Sequence, residues 1–158
     1  MSDAIVRIKR SPTADTRTCD WSKVSKDTLL ASSKQHIADV QEGMVLLCMM
    51  IGEAAHRHDF DKITDIDGFH RDFKTGFKQT AWWDNHRKVN RHHLSMDDGV
   101  PEDVNLIDVL DHIVDCVMAG MARSGSVYDL SLPASVLERA FANTVELFKS
   151  HVRLEENE

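Results

Sequence analysis

The chain has 158 residues, 42% apolar and 28% charged, enough for one globular domain with a proper core. Its net charge of −7 argues against a protein that coats nucleic acid or binds an anionic membrane. No apolar run reaches the roughly 20 residues of a membrane span, and the N-terminus lacks the apolar stretch of a signal peptide.

Cys19, Cys48 and Cys116 show no paired spacing. Cys48 and Cys116 lie in apolar helical sequence and read as buried thiols, which fits a reducing cytoplasm. The compositional anomaly is histidine: nine in all, seven of them between His56 and His112.

Residues 1–26 are mixed and polar and read as an N-terminal arm. Ile5-Val6-Arg7-Ile8 is a short strand or an extended segment, and Ser11-Pro12-Thr13 breaks any regular element. Asp27 is the predicted N-cap of a long helix. Its apolar stripe includes Leu30, Ile37, Val40, Met44, Leu47 and Ile51, and Gly43 or Gly52 is a candidate break. This element ends near His58-Asp59. Thr64 to Gly68 forms a loop and cap, followed by helices over about Phe69–Phe77 and Thr80–His93. Asp98-Gly99 marks a turn. A strong helix runs from Glu102 to about Arg123 and is closed by Ser124-Gly125-Ser126. The last helix starts at Leu132-Pro133, and residues 155–158 fray. No interior strand is convincing. The expected fold is all-α, a single compact helical bundle of about five to seven helices over residues 27–154.

Four pieces of this pattern carry possible chemistry. Adjacent side chains diverge by about 100° on a helix, but His58 and Asp59 converge where the backbone leaves it. An imidazole and a carboxylate then offer a site for a divalent cation. His36 lies at the edge of the stripe on the preceding helix. His86, Asn90 and His93 fall on one helix face at i, i+4 and i+7, amid Arg87, Lys88 and Arg91. So many basic groups in an acidic chain suggest an anionic ligand. Asp108, Asp111 and Asp115 also share a helix face, and Asp115, bracketed by Val114, Val117 and Met118, is the one that burial leaves in need of a partner. Trp82 and Trp83 read as packing residues.

In chain order these are His36, His58-Asp59 with Lys62, His86, His92-His93 and Asp115. The set resembles the HD-domain superfamily of metal-dependent phosphohydrolases over roughly Ser33 to Arg123. The His58-Asp59-x-x-Lys62 and Asn90-x-His92-His93 segments look closest to small phage and bacterial proteins of unassigned function. The gap from His36 to His58 is short for the superfamily, and no Gly-Tyr-Pro follows Lys62.

The resemblance implies that His36, His58, Asp59 and Asp115 hold one divalent ion, with Asp59 bridging to a second held by His86 and His93. Helical phase favours His93 over His92 as that ligand. A small-residue run after Asp115 favours it over Asp111. The implied activity is hydrolysis of a nucleotide or another small phosphate ester by a metal-activated water. Asp59 and Lys62 would be catalytic. Lys62, Arg87, Asn90, Arg91 and His92 are the candidates to hold substrate. The donor set accepts manganese, iron, cobalt, nickel, zinc or magnesium. A di-iron oxygenase and a non-catalytic binding module stapled by metal are the alternatives. A homodimer is a further expectation of the resemblance, and no membrane partner is expected.

Overall fold

The computed structural model describes residues 5–11, 16–17, 19–78, 81–95 and 100–155. The break at Pro12-Thr13, the helix start at Thr80, the Asp98-Gly99 turn and the fraying of 156–158 lie outside them. The described chain is all-α in class, with two short strands: β1 (Val6–Lys9), α1 (Lys26–Arg57), α2 (Phe60–Thr64), α3 (Ile66–Phe73), α4 (Trp82–Val89), α5 (Leu106–Ser124), α6 (Ala134–Ser150) and β2 (Val152–Glu155). It forms two compact units, Met1–Met49 with Leu147–Glu158, and Met50–Glu146. Among the described residues no helix is long and apolar enough to cross a membrane.

In the first unit, β1 pairs in parallel with β2, Val6 opposite Val152. The predicted Ile5–Ile8 segment is therefore a strand, and Glu155, expected to fray, is its partner's last residue. Helix α1 is capped by Ser25, whose Oγ accepts from Thr28 N at 3.1 Å, and not by Asp27, which lies in the first turn. It continues unbroken through Gly43 and Gly52. Gly43 matters for packing, because a Cβ there would come within 2.8 Å of Phe148 Cζ. The stripe expected to face the core is instead exposed: Leu30, Ile37, Val40 and Met44 each show about half their surface.

In the second unit, Leu94, Val104, Val109, Val136 and Ala140 form the buried core. Capping decides where the helices begin. Asp65 accepts from Gly68 N, so α3 starts at Ile66 and earlier than expected. Asp72, fully buried, accepts from Trp83 N at 2.9 Å and caps the first turn of α4 from a distance. Asn105 and Asp108 form a reciprocal capping box that starts α5 at Leu106, four residues later than expected. Gly125, at φ 72°, closes α5 in the left-handed conformation. Helix α4 ends at Val89 and Asn90 is extended, so His92 and His93 leave the predicted helix.

Two glycines test this packing with opposite signs. A Cβ on Gly120 would meet Ser126 O at 2.4 Å and Tyr128 N at 2.7 Å, both backbone atoms, whereas one on Gly52 would meet nothing within 4 Å. Gly120→Ala is expected to lower stability by about 1–3 kcal/mol through overpacking. Gly52→Ala is expected to raise it by about 0.5–1 kcal/mol through helix propensity. Urea midpoints of the two variants check both signs.

Candidate metal centre

The centre starts with a backbone reversal. The α1 hydrogen-bond ladder continues to His58, whose N–H donates to Ala54 O at 3.0 Å. Asp59 then turns left-handed, at φ 54° and ψ 22°, and its carbonyl accepts from Lys62 N to begin α2. A non-glycine residue there costs about 1 kcal/mol or more and needs support. Asn90 supplies it. Its Oδ1 accepts the Asp59 N–H at 2.9 Å, and its Nδ2 donates to Asp61 Oδ1 at 2.8 Å. The reversal lets two adjacent side chains converge, with His58 Nε2 3.6 Å from Asp59 Oδ2.

Three more histidines face Asp59. Its Oδ1 lies 3.4 Å from His86 Nε2 and 3.6 Å from His92 Nε2. His93 Nε2 is 2.9 Å from His86 Nε2. Among the described residues, two His/Asp groups have donor atoms close enough to hold a metal ion: His58, Asp59 and His92; and Asp59, His86 and His93. Ligand atoms about 2.0–2.2 Å from one ion sit about 3–3.5 Å from each other, so the observed spacings are those of neighbouring donors. Asp59 Oδ1 and His92 Nε2 are buried with no hydrogen-bond partner. Orphaned polar atoms of this kind are costly and call for a ligand.

Carboxylates hold the rings from behind. Asp111 Oδ1 accepts from His58 Nδ1 at 2.8 Å, and its Oδ2 lies 3.5 Å from His92 Nδ1. Both Asp61 oxygens lie 3.0 Å from His86 Nδ1. These contacts assign the proton to Nδ1 and turn each Nε2 lone pair toward Asp59. The rings of His58 and His92 stack at 4.3 Å. Trp82 and Trp83 stack against His86 at 4.9 and 5.2 Å, the packing role expected of them.

Burial acts against protonation of two of the imidazoles. It lowers the His86 pKa against the opposing pull of Asp61. It also pushes His93 down to about 3, helped by the charges of His92 and His86. For Asp59, burial raises the pKa, but the Lys62 hydrogen bond and charge, with His58 and His92, outweigh it and leave it lowered. Asp111 is likewise lowered: His92 and His58 overcome its burial. Near neutral pH His86 and His93 thus offer imidazole lone pairs beside a carboxylate that Lys62 pairs at Oδ2.

The structure brings together His58, Asp59, His86 and His93, and His92 with them. His92 belongs to a donor group and is 1% exposed, so it is no free substrate contact. His36 is exposed, belongs to the first unit and is in neither group. Because α1 is unbroken, His36 lies within it and His58 directly follows its last residue, Arg57. Asp115 Oδ1 lies 3.8 Å from His58 Nε2 but is in neither group. Asp111, weighed against it as a ligand, orients two histidines. Asn90 is buried and braces the turn. Arg91 is taken up by Asp108, with two contacts of 2.8 Å, and by Asp103 at 3.0 Å, so it clamps its loop to α5. Arg87 is half-buried and reaches Asp84 at 3.3 Å. Sequence reasoning missed Asp61. Its only linear signal is its place between Asp59 and Lys62.

No family model matches this chain, and neither a curated protein nor a solved structure is similar to it.

Two predictions follow from the geometry. Asn90→Ala strands the Asp59 N–H and frees Asp61, and should cost about 1–3 kcal/mol of stability. It should also weaken divalent-metal affinity about 10–100-fold, which titration calorimetry reads. The second concerns pH. His86, His93 and His112 have pKa values below the ordinary 6.5, burial being the first cause in each. The unfolded chain therefore binds protons near pH 6.5 that the folded chain refuses, and stability falls as pH drops below that point. Asp59 and Asp111, lowered from 3.8, add a second loss only at stronger acidity. Urea midpoints of chelator-treated protein should decline from pH 7.5 to 5.5; a rise would contradict the assignment.

Proposed function

We propose that this chain is a metal-dependent phosphohydrolase acting on a nucleotide or another small phosphate ester. One observation carries the reading: two three-donor groups share the single carboxylate Asp59. Three protein donors per group leave coordination positions for water and substrate, the pattern of catalytic and not of structural sites. The resemblance to HD-domain phosphohydrolases supports the same reading, although the gap from His36 to His58 is short for that superfamily and neither His36 nor Asp115 is in a donor group.

Divalent ions bound there would supply a water of lowered pKa and would balance charge on a phosphoryl oxygen. The chain's own residues do the rest. Asp59, ionised and shared, spans the two groups. Asp61 and Asp111 fix the ring orientations, so no reorganisation is required at the moment of reaction. Lys62, paired with Asp59 Oδ2, is the cation placed to meet a phosphate oxygen as a point charge. Arg87 is a further candidate for the rest of the phosphate, and Arg91 is engaged by Asp108.

Elemental analysis of protein purified without chelators, followed by a phosphate-release screen, tests this. The screen covers p-nitrophenyl phosphate, bis(p-nitrophenyl) phosphate and nucleotides, each with manganese, cobalt, nickel, zinc, iron and magnesium. About two ions per chain and metal-dependent release are expected. Asp59→Ala should lose both. Lys62→Ala should keep the metal and lose about 10²–10³-fold in turnover. A folded protein that takes up no metal would overturn the proposal. Bound iron with oxygen consumption and no phosphate release would replace it with oxygen chemistry on the same donors.

A further inference from the structure

Helix α1 carries an apolar stripe that the described residues of its own unit leave about half exposed. Leu30, Ile37, Val40 and Met44 are between 49% and 55% exposed. With Ser33 and Leu47 they follow alternating steps of three and four residues. That is the 3.5-residue period of a coiled-coil seam. The unit packs on other faces of the helix: Gly43 and Leu46 are buried, Gly43 against Phe148.

The rest of the unit is short of a core. Its buried apolar residues, among those described, are Val6 and Leu46. Its sheet is one parallel pair of strands, and a two-stranded sheet by itself is marginal. A unit of this size needs more buried apolar surface than that to stand.

The stripe is complementary to itself when reversed. Two antiparallel copies related by a two-fold axis between Ala38 and Asp39 place Leu30 against Leu47, Ile37 against Val40 and Ser33 against Met44. No charge falls in the seam. Lys34 is the one fully charged residue in the positions flanking it, and in this register Gln41 faces it, so no like charges oppose the pairing. The two helix dipoles also run in opposite directions. Half-exposed side chains along five turns would bury roughly several hundred Å² per copy, on the scale of the about 800 Å² per partner in a standard stable interface. We propose that the α1 stripe pairs antiparallel with the same stripe of a second copy, and that the chain is a homodimer through this seam.

Multi-angle light scattering of the full chain at micromolar concentration should give about twice the 17.9 kDa chain mass. A mass of one chain would overturn the proposal, because the stripe would then be covered from within the same chain. The Ile37→Asp, Met44→Asp double variant should be monomeric with its helical circular dichroism kept; a folded variant that stays dimeric would place the interface on another face. If that variant fails to fold, the milder Ile37→Ala decides. Its dimer dissociation constant should rise by about tenfold or more, and an unchanged constant would overturn the seam.

Discussion

The hydrogen bond from the Asp59 N–H to Asn90 joins two distant stretches of sequence at the point where the centre is made. Asp59 must adopt a left-handed backbone for its side chain and that of His58 to converge. A non-glycine residue holds that conformation at a cost, and Asn90 offsets it by accepting the freed N–H. The same amide donates to Asp61, which holds His86. A single buried side chain therefore sets the turn, the shared carboxylate and one imidazole.

Around that link the second unit is organised by polar contacts as much as by apolar burial. His86, His92, His112, Asp61, Asp72, Asn90 and Asp108 are all buried, and each would be costly without a partner. Most have one: Asp61 for His86, Asp111 for His92, Arg91 for Asp108, the start of α4 for Asp72. Asp59 Oδ1 and His92 Nε2, buried atoms without a hydrogen-bond partner, face each other where the donor groups meet. Burial also suppresses protonation of His86 and His93, which leaves lone pairs available at neutral pH. The two unsatisfied atoms lie where His/Asp donor groups could hold a cation.

The first unit has the opposite character. Its apolar side chains are regularly spaced along α1, yet few are buried. Regular spacing without burial is a demand for a partner surface, which a reversed copy of the same helix meets with no charge in the seam.

The sequence by itself determined the all-α class, the start of the long helix near residue 26, the end of α5 at Gly125, the convergence of His58 and Asp59 at a helix end, and the packing role of Trp82 and Trp83. These depend on local periodicity, capping and turn chemistry, which act within a few residues. Only the tertiary structure decided the rest. Asp61 and Asp111 face histidines 25 and 53 residues away, and no local pattern encodes such a meeting. Arg91 looked available for phosphate until Asp103 and Asp108 closed on it across the chain. Gly43 and Gly52 were candidate breaks in the long helix, but helical hydrogen bonding continues through both. The stripe on α1 was legible as apolar; whether it faced a core was not, because periodicity specifies a face and tertiary packing alone decides what covers it.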